Sequence, residues 1–116
     1  MRIGELAQTT GVDVETIRYY EKVGLLPTPN RQSNGYRDYG KHHGQHLAFI
    51  RHCRALDMPL AEIGRLLDFV THPEADCGDI NRLIDEQLAR VRARLNSLHA
   101  LEKQLAALRS RCEAGH

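Results

Sequence analysis

The chain has 116 residues, of which 41% are hydrophobic and 5% aromatic, with no Trp. A chain of this length accommodates one small domain and one extended element. It has no signal-peptide pattern, no apolar run near the roughly 18 residues that span a membrane, and an odd number of cysteines, three. These features argue against a membrane protein and against a disulfide framework, and they predict a cytoplasmic protein with reduced thiols.

Charge is distributed unevenly along the chain, although the formal net charge is only +1. Residues 1–56 carry eight Lys and Arg against five Asp and Glu, whereas residues 57–116 carry eight against ten. The mildly basic first half permits nucleic-acid binding without by itself indicating it.

The first two predicted helices form a candidate helix-turn-helix. Apolar side chains recur at helical spacing in residues 2–9, and Gly11 follows as a turn residue. Asp13 is a suitable N-cap for a second helix, VETIRYYEKVG, over residues 14–24. Two short helices joined by a tight turn that contains Gly are typical of this motif.

A β-hairpin is predicted directly after the second helix. Pro27 and Pro29 interrupt the helical pattern, and Asn34-Gly35 indicates a two-residue type I′ turn. The alternating residues 36–39, Tyr-Arg-Asp-Tyr, favour a strand. A short hairpin that carries Arg and Tyr after a helix-turn-helix is interpreted as a wing that lies over DNA phosphates or reaches toward the minor groove.

Three further helices are predicted after the wing. A third helix runs over residues 41–56, and a fourth begins at Pro59 and ends at Val70. The polar segment THPEADCGD separates it from a long helix over residues 79–112. The predicted fold class is therefore mainly α: a winged helix-turn-helix domain followed by a long dimerisation helix that forms an antiparallel coiled coil.

Cys77 and Cys112 lie at the two ends of the long helix and share its heptad register. The register consists of Cys77, Ile84, Val91, Leu98, Leu105 and Cys112. A continuous helix holds the two thiols about 50 Å apart at ~1.5 Å rise per residue, so they cannot share a metal ion within one chain. In an antiparallel pair of helices, Cys77 of each chain lies level with Cys112 of the other, which makes two metal sites per dimer.

Not every candidate ligand is expected in a site. Cys53 shares a helical face with Leu47 and Ile50, so a buried and inert thiol is predicted. Cys112 also continues the apolar seam, and a structural thiol is the alternative reading there. The three histidines at the start of the third helix are expected on a solvated surface: His42, His43 and His46.

Three segments in this order resemble the MerR family of bacterial transcription regulators: IGELAQTTGVDVETIRYYEKVGLL, RQSNGYRDYG and FIRHCRALDMPLAEI. The pairing of Asp76-Cys77-Gly78 with Arg111-Cys112 resembles the cadmium- and lead-responsive branch. The resemblance implies a homodimer on a pseudo-palindromic promoter with an overlong spacer. The metal-bound form would bend and untwist the DNA, so that RNA polymerase engages both promoter elements and metal-resistance genes are activated.

The resemblance also implies a domain organisation and a set of DNA contacts. The winged domain spans residues 1–70, a metal-site connector 71–78, the dimerisation helix 79–112 and the end of a metal-binding loop 113–116. DNA contacts are expected from the second helix at Val14, Thr16, Arg18, Tyr19 and Tyr20. Contacts are expected from the wing at Arg31, Gly35, Tyr36, Arg37 and Tyr39. At least one of the adjacent tyrosines of the helix is also expected to pack in the core.

The expected effector is a soft divalent metal ion, cadmium or lead, with zinc or mercury as alternatives. Relatives that sense copper(I) carry Ser at the position of Cys77, so a Cys there implies a divalent ion. Divalent sensors carry a further Cys in a loop just beyond the position of Cys112. The candidate nitrogen ligand in this region of the chain is His116.

Two other kinds of function are weighed against a metal-responsive regulator. A drug- or redox-sensing regulator of the same fold would need an effector domain or a cysteine cluster after the long helix. A passive metal-binding protein would use the winged module only for protein contacts, and the Arg- and Tyr-bearing wing argues against it. An enzyme is not expected, because no Cys/His pair, Ser/His/Asp set, P-loop or paired carboxylates are recognisable.

Overall fold

The computed structural model describes residues 1–32, 35–74 and 77–114. In chain order the elements are α1 (Ile3–Thr10), α2 (Val14–Lys22), β1 (Asn30–Arg31), β2 (Arg37–Asp38), α3 (Lys41–Ala55), α4 (Leu60–Thr71) and α5 (Cys77–Ala114). The mainly α fold with a helix-turn-helix, a two-stranded wing and a long final helix is thus confirmed. None of the helices in these ranges is long and apolar enough to cross a membrane.

The chain divides into two compact units, residues 1–75 and residues 76–116. In the first unit, α1 contacts both α2 and α3, and α3 contacts α4. The apolar faces of these helices meet in one core. Its buried side chains include Leu6, Ile17, Leu25, Leu26, Leu47, Ile50, Cys53, Met58, Ile63 and Leu67. Burial of each large aliphatic side chain contributes roughly 1.5–3 kcal/mol, and this core holds together the helices that carry the surface groups.

The turn between α1 and α2 forms as its residues predict. Gly11 adopts a φ of 74°, and its N–H donates to the Ala7 carbonyl. The Asp13 carboxylate accepts a hydrogen bond of 2.7 Å from the Thr16 N–H, which confirms Asp13 as the N-cap of α2. The helix ends at Lys22, two residues before the predicted end, because the chain leaves helical conformation at Gly24 with a φ of 86°.

The wing pairs Asn30 with Asp38 and Arg31 with Arg37 in antiparallel register. The Gln32 N–H donates to the Tyr36 carbonyl at 2.7 Å, which extends the pairing of the two strands. Gly35 has a left-handed conformation, with a φ of 84°, which glycine adopts without strain. The predicted turn at Asn34-Gly35 stays a prediction, because Asn34 lies outside the described residues.

The second unit contains α5, which has 38 residues. Its described residues run from Cys77, so this cysteine is helical and does not lie in a connecting loop as predicted. The helix also continues through Glu113 and Ala114, which were expected in a metal-binding loop, whereas His116 lies outside the described residues. Its buried side chains, Ile80, Leu83 and Gln87, all lie in the first turns. Beyond them, an exposed apolar series follows at Leu88, Leu95, Leu98, Leu101, Leu105 and Leu108.

Candidate DNA interface and thiol sites

A groove of about 1080 Å³ opens in the first unit beside α1, α2 and the wing. It is lined by Arg2, Ile3, Gly4, Glu5, Arg18, Glu21, Lys22, Thr28, Arg31, Gly35, Tyr36, Arg37 and Tyr39. Five of these are Arg or Lys and two are Glu, so the lining carries an excess of positive charge. Such a lining attracts a polyanion, and the phosphates of a DNA backbone are the polyanion that a helix-turn-helix meets.

Three exposed cations of the groove were predicted from the sequence, namely Arg18, Arg31 and Arg37. Arg18 projects from α2, while Arg31 ends strand β1 and donates from Nη1 to the Gly35 carbonyl at 3.3 Å. This contact holds the Arg31 side chain across the wing. A guanidinium presents several N–H donors in one plane and binds phosphate or guanine in a bidentate manner, so Arg18 and Arg31 both suit contacts to DNA.

Tyr36 at the wing is 55% exposed, and the guanidinium of Arg2 lies 4.0 Å from the centre of its ring. This is a cation–π contact that joins the start of α1 to the wing. Sequence reasoning did not assign Arg2 to the site, because 34 positions separate it from Tyr36 and no local spacing reveals the contact.

Tyr39 is buried, with 1% of its surface exposed. Its hydroxyl donates a hydrogen bond of 2.9 Å to Glu21 Oε2, and its ring meets His43 edge to face at 5.1 Å between centres. The prediction that the Tyr39 side chain contacts DNA is therefore wrong, since the ring is packed inside the domain. Arg37, its neighbour on the wing, forms an ion pair with the same Glu21 carboxylate, which the sequence did not reveal.

The α2 residues predicted to contact DNA differ in exposure. Tyr19 is 50% exposed, and its ring centre lies 6.1 Å from that of Tyr20, which is half-buried. Neither tyrosine is a fully buried core residue, contrary to expectation. Val14 and Thr16, in the first turn of α2, are also half-buried.

His43, expected on the surface, is instead almost completely buried. Its Nδ1 accepts a hydrogen bond of 2.9 Å from the Gly40 N–H, so Nε2 carries the proton and donates to the Pro27 carbonyl at 3.0 Å. Burial lowers the pKa of this imidazole below its usual value of 6.5 and outweighs the hydrogen bond to Pro27, which acts to raise it. The histidine is thus a neutral structural link in the core.

Cys53 is buried, as predicted, whereas the other two cysteines are exposed. Burial raises the pKa of the Cys53 thiol, which makes it a poor nucleophile and metal ligand. Cys77 and Cys112 are exposed and lie at opposite ends of α5. Within the described ranges, no group of three or more His, Cys, Asp or Glu side chains of one chain could hold a metal ion.

A helix-turn-helix, an adjoining wing and a cation-lined groove beside both define a DNA-binding protein of the winged-helix class. Residues 1–70 match the profile of the family described as MerR HTH family regulatory protein, and residues 45–108 match the profile described as MerR, DNA binding. The chain belongs to the MerR family and is a DNA-binding transcription regulator, not an enzyme.

Individual relatives agree with this assignment. The chain is 42% identical over 111 residues to an HTH-type transcriptional regulator ZntR homolog from Haemophilus influenzae, which covers 96% of the chain and 82% of the relative. It is 40% identical to the mercuric resistance operon regulatory protein of Bacillus cereus, over 96% and 84% of the two chains. The solved transcription regulator PbrR691 from Ralstonia metallidurans, in complex with lead(II), is 48% identical with a TM-score of 0.66, over 94% and 84%.

Proposed function

We propose that this regulator is a homodimer that binds promoter DNA through the groove of each first unit and responds to a soft metal ion bound by thiolates of α5. The observation that carries the DNA part is the cationic groove beside α2 and the wing. The observation that supports the metal part is the presence of two exposed thiols at the ends of one helix, while the third thiol is buried.

The contacts to DNA are divided between two elements. The start of α2 carries Val14 and Thr16 toward base edges in the major groove, with Arg18, Tyr19 and Tyr20 on phosphates or neighbouring bases. The wing contributes Arg31, Gly35 and Tyr36 to the sugar-phosphate backbone. Contacts of the second kind position the protein on the duplex and carry no sequence information directly.

The register of α5 supports an antiparallel homodimer. When Cys77 of one chain lies level with Cys112 of the other, Leu98 lies level with Val91 and Leu105 with Ile84. Every layer of the heptad seam then joins apolar residues, which is what a stable coiled coil requires. The exposed Leu98 and Leu105 of α5 are thereby covered, and the same pairing brings two thiolates together at each end.

Each end of the dimer then holds a metal ion between Cys77 of one subunit and Cys112 of the other, with His116 as a further ligand. Thiolates select soft ions, which favours lead or cadmium, with zinc or mercury as alternatives. Among the relatives, one is a mercuric resistance regulator and another has been solved with lead(II), which supports an ion of this class.

Metal binding would act by changing the relative populations of two dimer arrangements. An ion that binds one arrangement more tightly shifts the equilibrium toward it by the difference in affinity. The favoured arrangement bends and untwists the promoter so that RNA polymerase can engage it. Deforming the DNA costs free energy, and the cost depends on the DNA sequence.

The test is a titration of the reduced protein with Cd²⁺ or Pb²⁺, followed by thiolate-to-metal ultraviolet absorption. We expect the bands in the unmodified protein and in Cys53→Ser, and their loss in Cys77→Ser and in Cys112→Ser. Mixing the last two variants and allowing subunits to exchange gives heterodimers with one intact cross-subunit site, so absorption should return. Absorption that survives both substitutions, or fails to return on mixing, contradicts the shared site.

A further inference from the structure

Glu21 is an acidic residue in the wall of a groove that otherwise favours anions. Only 10% of its side chain is exposed, although it carries a charge. A buried carboxylate is costly unless it is paired and hydrogen-bonded, and both of its oxygens are engaged here. Oε1 accepts from the Arg37 guanidinium, and Oε2 accepts from the Tyr39 hydroxyl at 2.9 Å.

The two partners of Glu21 come from the same strand of the wing. Arg37 begins β2 and Tyr39 follows its last residue, so the two side chains, two positions apart, point to the same face of the strand. Tyr39 is in turn fixed in the core against His43. One carboxylate on α2 therefore joins this helix to the end of strand β2, where the Met1 amino group also contacts Asp38 and the Tyr39 carbonyl.

We propose that Glu21, with Arg37 and Tyr39, forms a clamp that positions the wing for DNA binding. The clamp holds Arg31 and Tyr36 of the wing at a fixed distance from Arg18 of α2, so that both elements meet one duplex. In this arrangement the Arg37 guanidinium is a structural bridge as well as part of the cationic surface. The inference rests on the DNA-binding part of the proposed function and adds to it a positioning residue that itself contacts no DNA.

The direction in which Glu21→Gln changes the affinity for DNA distinguishes this clamp from a simple electrostatic effect. A carboxylate near phosphates repels them, so its neutralisation alone would tighten DNA binding. The clamp predicts the opposite for Glu21→Gln, because an amide cannot accept hydrogen bonds at both positions and the ion pair with Arg37 is lost. Glu5 gives a matched control: it lines the same groove, is exposed, and has no ion pair among the described residues.

The experiment measures fluorescence anisotropy of a labelled duplex selected from a random-sequence library on the unmodified protein. We expect Glu21→Gln to weaken binding about three- to tenfold, corresponding to one or two net hydrogen bonds, and Glu5→Gln to leave binding unchanged or tighter. Tyr39→Phe keeps the ring in the core and removes only the hydroxyl, so a smaller weakening is expected and an unfolded variant is avoided. Unchanged or tighter binding by folded Glu21→Gln overturns the proposal.

A second readout needs no DNA and tests the clamp separately from the DNA interface. NMR order parameters of the Gly35 and Tyr36 amides should fall in Glu21→Gln and remain unchanged in Glu5→Gln. Unaltered order parameters in Glu21→Gln would overturn the clamp even if the DNA interface is correct. Conversely, Arg18→Ala should weaken DNA binding without any change in the order of the wing, which tests the interface itself.

Discussion

The Nε2 atom of His43 lies 3.0 Å from the carbonyl oxygen of Pro27 and joins α3 to the segment between α2 and the wing. The other ring nitrogen accepts from the Gly40 N–H at the end of the wing. A proton added to the ring must go to Nδ1, and it would convert that acceptor into a donor facing another donor. The neutral imidazole is therefore the form that the fold requires.

This requirement predicts a stability that depends on pH. Because burial lowers the pKa of folded His43, the unfolded chain takes up a proton first as the pH falls below 6.5, and stability drops between that value and the lower folded pKa. His43→Gln should be less stable at pH 7.5 but less sensitive to acid over this window. Urea unfolding midpoints at several pH values measure the effect.

The exposed His42 supplies the control for this prediction. His42→Gln retains the buried imidazole and its two hydrogen bonds, so its stability should fall with pH as steeply as that of the unmodified protein. An equally steep dependence in His43→Gln would assign the acid sensitivity to other groups.

Asp13 should stabilise α2 through its cap. Its carboxylate accepts from the Thr16 N–H, and this hydrogen bond lowers the pKa of Asp13 below 3.8. Asp13→Ala should lower the melting temperature by several degrees, whereas Asp13→Asn should lower it less, since an amide oxygen can still cap. Because the folded pKa is depressed, the charged part of this stabilisation is present above the unfolded value and is lost as the pH falls through the folded one.

Local interactions explain which parts of this fold could be predicted. The Asp13 cap and the Gly11 turn depend on residues within four positions, and the sequence therefore reveals them. The Glu21 clamp joins residues 16 and 18 positions apart, and no periodicity encodes such a contact. Tyr39 was misassigned for this reason: a tyrosine in a basic hairpin suggests a DNA contact until its buried partner is known.

The end of the chain shows a similar limit. The heptad seam of α5 was recognisable because Leu98 and Leu105 repeat at a fixed interval, but a period does not define where a helix begins. Cys77 follows a polar, Pro-containing segment, which favours a loop, whereas this residue is already helical in the structure. The proposed metal site would need a second chain, and a single sequence indicates such a site only through the register of its helix.

The different environments of the thiols predict two rates of modification. In the reduced, metal-free protein, Cys77 and Cys112 should react rapidly with a disulfide reagent such as Ellman's reagent. Cys53 should react slowly, because it is buried and its raised pKa reduces the thiolate fraction. Cys53→Ala should remove only the slow phase. A fast phase of three thiols per folded chain would contradict the buried position of Cys53.

Ile17 should be important for the stability of the winged domain. Its side chain on α2 is completely buried in the core. Ile17→Ala should therefore destabilise the domain by about 2–5 kcal/mol, as the cavity relaxes only in part. Val23→Ala, at an exposed position just after the same helix, should change the free energy of unfolding by less than ~0.5 kcal/mol. Chemical denaturation of both variants provides the comparison.

Leu98 should be required for self-association if α5 pairs as proposed. It is 54% exposed in the single chain, and the antiparallel register places it level with Val91 of the other chain. A glutamate there would be buried twice in the symmetric dimer without a partner charge. Leu98→Glu should therefore raise the dimer dissociation constant about a hundredfold or more, as followed by analytical ultracentrifugation.

Ala100→Glu provides the matched control, since it inserts the same charge on the opposite face of the helix two positions away. It should leave the dimer intact. If Leu98→Glu remains a dimer, the leucine seam is not the interface, and the two thiols of each proposed metal site would have no route to one another. Leu98→Glu leaves both cysteines in place. If this variant is monomeric and has also lost the thiolate-to-metal absorption, the metal site depends on the pairing of the helices.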